Sequence, residues 1–336
     1  MRLIASPRFL DHNTPPGHPE RPERAEVFDA VVKDWRDRVS VVEPRPATRE
    51  ELLRVHSAEH VRRISETNGR AAMLDADTFT SPESYEIALL AAGAVVQAVD
   101  HALDAKETTF ALVRPPGHHA ERERAMGFCL FNNVAVGAAA ARARGCARVA
   151  AVDIDVHHGN GTQWMFYDDP CVLYVSTHQF PFYPGTGAAD EIGRGDGEGY
   201  TVNVPLEAGA TDADYAMVYL AIANVLGQFK PELLLISAGY DAHADDPLAS
   251  MRVSTAGYGA VIRILKGAAA GTACPIALVT EGGYDLDALR GCLDATLSVL
   301  STDDTVALAA DRPVAPRGER GLRAARDAQR QFWTGI

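Results

Sequence analysis

Short runs of apolar, largely β-branched residues recur along the chain, each ending in a polar, glycine-bearing segment. The clearest are Phe110–Val113, Val149–Ile154, Val172–Val175, Leu233–Ile236 and Ile276–Val279, with Tyr200–Val204 as a sixth. Their hydrophobicity is continuous instead of alternating, the pattern of strands buried on both faces of a mostly parallel sheet. Between them, Ser84–Leu103, Asn133–Arg144, Asp212–Phe229 and Thr255–Ala270 read as helices. This alternation predicts a doubly wound α/β fold with helices on both faces of the sheet. Open sheets of this kind bind ligands at the carboxyl ends of their strands, and every polar cluster considered below falls at such an end. The tail from about Ser301 is rich in Ala, Asp and Arg. It is expected to be a peripheral helix or partly ordered surface, without chemistry of its own, of a single domain spanning residues 1–336.

Composition narrows the class. With 336 residues, 47% of them apolar, the chain can bury one large core. Nothing in it resembles a linker or a low-complexity tract. The opening Met1–Ser6 is too short an apolar run for a secretory signal, and no stretch is read as approaching the roughly 20 apolar residues of a membrane span. Five scattered cysteines, none spaced C-x-x-C, argue against a disulfide framework or a thiolate metal site and for a reducing cytoplasm. A net charge of −13 without any Lys/Arg block excludes the electrostatic footprint of nucleic-acid binding and favours cationic partners.

Candidate chemistry sits in four segments. In Ala151-Val-Asp153-Ile-Asp155-Val-His157, alternate residues of a strand share a face, so Asp153, Asp155 and His157 are expected to point together. Two converging carboxylates beside an imidazole call for a cation or a strong hydrogen-bond network; the plainer reading is a solvated strand end. After the apolar run Leu233–Ile236, Gly239 leads into Asp241, a third ligand candidate. An Asp, a His and an Asp with one open position suit hydrolytic zinc. His243 and Asp245 read better as solvated loop residues. His118 and His119 follow Pro115-Pro116-Gly117. Such a pair is often a surface accident, but hydrolysis beside a metal needs a base for the water and an acid for the leaving amine. Finally, Tyr284 after Glu281-Gly282-Gly283 could be an oxyanion donor or a core tyrosine.

Together these segments resemble the histone-deacetylase and acetylpolyamine-amidohydrolase superfamily, with its arginase-like fold. The likeness runs from Pro16-Gly-His18-Pro-Glu20-Arg-Pro-Glu-Arg24 to Glu281-Gly-Gly-Tyr284 and takes in Gly127-Phe128-Cys129-Leu-Phe131-Asn132-Asn133, Ser176-Thr-His178 and Tyr183-Pro184-Gly185-Thr186-Gly187. It implies one catalytic zinc on Asp155, His157 and Asp241, ferrous iron being the alternative metal. His119 would be general base and then acid, and His118, paired with Asp153, an electrostatic partner. Tyr284 would polarise the scissile carbonyl. Gly127, Phe128, Tyr183, Leu248 and Gly282 would bind the substrate. An inner potassium site is implied at Asp153, Asp155, His157, Ser176 and Thr177, and an outer one at Phe166, Asp169, Val172 and Tyr200.

Two departures bear on activity. Asn160 stands where many members carry Asp as partner of the second histidine, so His119 is expected to stay neutral. Leu248 follows Asp246-Pro247 where polyamine-selective relatives place an acidic residue, which favours the aliphatic stem of acyl-lysine over an internal ammonium. The expected reaction is removal of acetyl or other acyl groups from lysine side chains of peptides or proteins; an acetylpolyamine or other small-molecule deacetylase is the alternative. A two-manganese ureohydrolase reading of Asp241-Ala-His243-Ala-Asp245 lacks its further carboxylate pair. An inactive acetyl-lysine-binding module is the non-enzymatic possibility.

Overall fold

The computed structural model describes residues 1–302 and 314–336. Among the described residues ten strands are formed: β1 (Arg2–Ile4), β2 (Ser40–Val42), β3 (Ala72–Met73), β4 (Phe79–Thr80), β5 (Thr109–Ala111), β6 (Val149–Asp153), β7 (Val172–Gln179), β8 (Thr201–Leu206), β9 (Leu233–Ala238) and β10 (Ile276–Thr280). The helices are α1 (Glu23–Trp35), α2 (Arg49–Leu53), α3 (Ala58–Ser65), α4 (Ser84–Ala105), α5 (Asn133–Ala143), α6 (Asn160–Met165), α7 (Asp212–Phe229), α8 (Thr255–Thr272), α9 (Leu286–Ser301) and α10 (Pro316–Gln329). Eight strands form one sheet in the order β2-β1-β5-β10-β9-β6-β7-β8. All its pairings are parallel, and β3 and β4 make a separate antiparallel hairpin.

The chain builds outward from β5 through β6 and β7 to the edge strand β8, then returns to seat β9 and β10 between β5 and β6. Five polar loops therefore leave neighbouring strand ends at the middle of the sheet. Pleating divides the core. Ala150 and Val152 face one layer with α7, α8 and α9, while Val149 and Ala151 face the other with α4 and α5. Each fully buried Val, Leu or Ile there contributes about 1.5–3 kcal/mol.

All six strands and all four helices read from the hydrophobic pattern are present, with ends shifted by a few residues. The helix α7 keeps both expected ends: a capping box between Thr211 and Asp214 starts it, and Lys230 in the left-handed region stops it.

One expectation needs correction. Contrary to the reading that no segment approaches a membrane span, α4 is 22 residues long and apolar enough to cross one by length and composition. Two-thirds of its most apolar window is buried inside the protein, where α4 packs on α5 and β10. The C-terminal segment forms α10, packed on the edge strand β8 and on α7. The carboxylate of Asp214 accepts from the N–H groups of Arg317 and Gly318, which docks the start of α10 on α7. Leu322, Ala325 and Gln329 are buried, and Gln329 Nε2 donates to the Thr201 carbonyl, so α10 covers an otherwise open sheet edge. The part of the tail at 303–313 lies outside the described residues.

Candidate metal centre

Strand β6 stops at Asp153, and Asp155 and His157 lie in the loop beyond it. Pleat alternation is therefore not what aims them. Short side-chain turns do it: Asp153 Oδ1 accepts from the Asp155 N–H at 3.2 Å, and Asp155 Oδ1 accepts from the His157 N–H at 2.9 Å. The Asp153 side chain turns away, to His118. Across the sheet, Asp241 follows β9, and its Oδ1 accepts from the Val156 N–H at 2.9 Å. The result is a buried group of Asp155, His157 and Asp241 whose donor atoms all lie within 4.8 Å of one another. His157 Nδ1 is 3.2 Å from Asp155 Oδ1 and 3.1 Å from Asp241 Oδ2.

Glycines allow this convergence. A Cβ on Gly239 would fall 2.1 Å from Asp155 Oδ2, and one on Gly282 would fall 2.1 Å from Asp241 Oδ2. The Gly282 N–H donates to Asp155 Oδ2 at 2.8 Å. Sequence reasoning placed Gly282 against substrate; its amide is spent on the carboxylate.

The electrostatics ask for a cation. Burial, then the nearby Asp155 charge, pushes the Asp241 carboxyl up to about 7. Burial opposes a charged His157, yet hydrogen bonds to Asp155 and Asp241 outweigh it and raise the ring to about 10. Two carboxylates thus share a proton-hungry imidazole in a dry site. A divalent ion bound by O, N and O donors relieves the same strain, and the donor set fits zinc or ferrous iron.

Beside the centre lies the imidazole pair, with ring centroids 4.0 Å apart. Its loop is held by a residue that sequence reasoning passed over. Glu281 Oε2 accepts from the Gly117 and His118 N–H groups at 2.6 and 3.1 Å, and Ser237 Oγ donates to Oε1 at 3.2 Å. His118 Nδ1 meets Asp153 Oδ2 at 2.9 Å. Burial alone would discharge His118, but the charges of Asp153, Asp155 and Glu281 hold its pKa well above the ordinary value. For His119, burial first and the charges of His118 and His157 next drive the pKa well below ordinary. Its Nδ1 lies 2.8 Å from Asn160 Oδ1. The two rings, adjacent in sequence, are pushed to opposite protonation states.

The histone deacetylase domain family model matches residues 18–300. The chain belongs to the histone deacetylase family. It is 40% identical to a protein of Archaeoglobus fulgidus named "Probable deacetylase", over 85% of this chain and 81% of that one. To the human "Polyamine deacetylase HDAC10" it is 38% identical over 94% of this chain, which spans 50% of that protein. The crystal structure of the HDA15 HD domain superposes with a TM-score of 0.91 at 36% identity, covering 99% of this chain and 95% of the other.

In this deacetylase-family chain, aromatic rings flank the imidazole pair and Tyr284. The Tyr183 ring stands edge-on to His119, centroids 5.2 Å apart, and Phe128 edge-on to Tyr284 at 5.8 Å. Phe128 takes a left-handed φ of 69° directly after Gly127 at 56°. A Cβ on Gly127 would strike His119 Cδ2 at 2.4 Å, and its carbonyl accepts from the Cys129 thiol at 3.2 Å. Burial raises the Tyr284 phenol well above its ordinary pKa, so it stays protonated. Leu248 and Tyr284 line a cavity of about 690 Å³ together with His18 and the Pro15–Pro19 turn.

The expected cation sites are less directly defined. Ser176 Oγ pairs with His178 Nδ1, and Thr177 Oγ1 with the Tyr219 hydroxyl, so both hydroxyls already have partners. At the outer site, the Phe166 and Asp169 carbonyls accept from Asp169 and Val172 N–H, and the Tyr200 carbonyl accepts from Tyr174 N–H. Asp245 is exposed as expected. His243 is not solvated: it is buried, with Nε2 3.2 Å from Thr255 Oγ1.

A buried ion-pair network behind the site escaped sequence reasoning. Glu20 accepts from Arg114 Nε and Nη2 at 2.7 and 2.9 Å and from Arg24 Nη1 at 3.1 Å, all three residues fully buried. Arg24 also donates to the Gly283 carbonyl at 2.8 Å and to the Glu281 carbonyl, with its guanidinium 5.1 Å from the Tyr284 ring centre. The signal was present in Pro16–Arg24, but its partners are far apart in sequence.

Proposed function

We propose that the chain is a metal-dependent amide hydrolase that removes acetyl or other acyl groups from lysine side chains of peptides or proteins. The observation that carries this reading is the buried Asp155–His157–Asp241 group beside two imidazoles of opposite protonation tendency. One zinc ion on those three residues would supply Lewis acidity toward the acyl carbonyl and the attacking water. His119, neutral, takes the proton from water as its oxygen attacks the carbonyl carbon. His118, kept as an imidazolium, steadies the negative charge that develops, and the protonated Tyr284 phenol donates a hydrogen bond to the carbonyl oxygen. When the C–N bond breaks, the proton on His119 passes to the leaving amine.

Charge balance supports a second cation. Asp153, Asp155, Asp241 and Glu281 are all buried around the centre. A divalent ion, the His118 imidazolium and one monovalent ion would neutralise them. Potassium at Asp153, Asp155, His157, Ser176 and Thr177 supplies that last charge, with Phe166, Asp169, Val172 and Tyr200 as the outer site.

Gly127, Phe128 and Tyr183 form the walls of the acyl channel, and Leu248 closes one side with an apolar surface that suits a lysine stem. A relative that is a polyamine deacetylase keeps acetylated polyamines as the second reading. The test is acetate release by the zinc-loaded protein from acetyl-lysine peptides and from N-acetylputrescine. Release from the peptides, abolished by chelation and strongly reduced in Tyr284→Phe, is the expected result. Comparable turnover of N-acetylputrescine overturns the lysine preference. No release from any substrate leaves a binding module.

A further inference from the structure

The orientation of the Asn160 amide has a cause outside the imidazole pair. Asn160 opens helix α6 and is 2% exposed. Its Oδ1 lies 2.8 Å from His119 Nδ1, and its Nδ2 donates to Glu121 Oε1 at 2.8 Å. The only other partner within reach of Nδ2 among the described residues is the weakly accepting Met126 Sδ at 3.4 Å. An ionised carboxylate only accepts, so the amide nitrogen must face Glu121 and the amide oxygen must face His119. That oxygen also only accepts. His119 must therefore carry its proton on Nδ1 and keep a lone pair on Nε2, the nitrogen a general base needs.

We propose that Glu121 is a positioning residue that selects the basic tautomer of His119 by fixing which way the Asn160 amide points. An aspartate in the same place would have no such ambiguity, since both of its oxygens accept. The amide makes the orientation a choice, and Glu121 makes it. Glu121 is suited to the task because its own backbone is pinned on both sides. Its N–H donates to the Arg124 carbonyl at 2.8 Å and its carbonyl pairs with His56 Nδ1 at 3.1 Å. Its side chain is part-exposed and only loosely paired, with Arg124 Nε 3.9 Å from Oε2, so one oxygen remains free for the amide. Without Glu121 the amide can turn over and donate to Nδ1, which places the His119 proton on Nε2.

A hydrogen bond to a charged acceptor biases such a choice by roughly tenfold or more. The kinetic arm of the test rests on the deacetylase reading; the spectroscopic arm does not. In ¹⁵N-histidine NMR of the zinc-loaded protein, His119 should appear as the Nδ1–H tautomer and should shift toward a mixture in Glu121→Leu, with Glu121→Gln intermediate because its amide can either accept or donate. With an acetyl-lysine peptide, Glu121→Leu should lower kcat about tenfold with KM changed less than twofold. In an Asn160→Asp background the same substitution should cost nothing or raise kcat, because it removes one carboxylate from beside the newly introduced one. An unchanged His119 tautomer in Glu121→Leu overturns the proposal, as does an equal loss of kcat in both backgrounds. A tautomer shift in a protein that hydrolyses no acyl-lysine sustains it and overturns the deacetylase reading instead.

Discussion

Gly282→Ala tests the proposed metal centre through a single methyl group. The added Cβ would sit 2.1 Å from Asp241 Oδ2 and 2.7 Å from Asp155 Oδ2. Gly282 is absent from the positive-φ positions, so the backbone accepts alanine and the conflict is purely steric. To reach ordinary contact at least one carboxylate must retreat by roughly 1 Å, a displacement that costs about a hundredfold where geometry governs reactivity. Disturbing the groups that orient metal ligands typically weakens binding by about 10–100-fold. Overpacking adds a loss of about 1–3 kcal/mol in folding stability. The assay is zinc affinity by competition with a chromophoric chelator, alongside kcat/KM on an acetyl-lysine peptide and urea unfolding of the metal-free protein. Gly267→Ala, in α8 with nothing within 4 Å of its added Cβ, is the control and should stabilise the fold by about 0.5–1 kcal/mol. A Gly282→Ala protein with zinc affinity within twofold of wild type refutes the assignment of Asp155 and Asp241 as joint ligands.

Glu20→Ala should cost about 3–5 kcal/mol, because it leaves the Arg114 and Arg24 guanidinium groups buried without their counter-charge; a urea midpoint unchanged from wild type would contradict this. His178 gives a stability-versus-pH prediction. Burial, opposed only by the hydrogen bond to the Gly187 carbonyl, lowers its pKa to about 4. The folded ring stays neutral where the unfolded chain takes up a proton, so its contribution is present above about pH 6.5 and is lost as pH falls toward 4. The loss is about 1.4 kcal/mol per pH unit. Urea titrations between pH 4.5 and 6.5 should therefore show a slope one proton shallower in His178→Gln than in wild type, and equal slopes would refute it.

Legibility in the sequence followed burial and locality. Continuous apolar runs gave away β6, β7, β9 and β10 because both faces of those strands are covered, and α7 was readable to its ends because its caps are local. The short edge-side strands β1 and β2, three residues each, are too brief to carry a period. Asp155, His157 and Asp241 were found because each follows an apolar strand, although side-chain turns aim them and pleating does not. Glu281 on the His118 loop, Glu20 between two arginines and Glu121 behind Asn160 were missed as partners. Their contacts join residues such as 20 and 114 or 117 and 281, and a pairing across that distance leaves no mark on local pattern.

The sheet order carries a consequence for biosynthesis. Strands β5 and β6 become neighbours of β10 and β9, which follow all the other described strands in the chain. A nascent chain that has just produced β8 therefore holds two apolar strands with bare flanks and an empty slot between them. It also lacks Asp241 and Glu281. The Asp155–His157–Asp241 group can assemble only after β9 and β10 have been threaded into the middle of the sheet. A chain stalled at that point thus both lacks the assembled Asp155–His157–Asp241 group and is prone to self-association through those flanks.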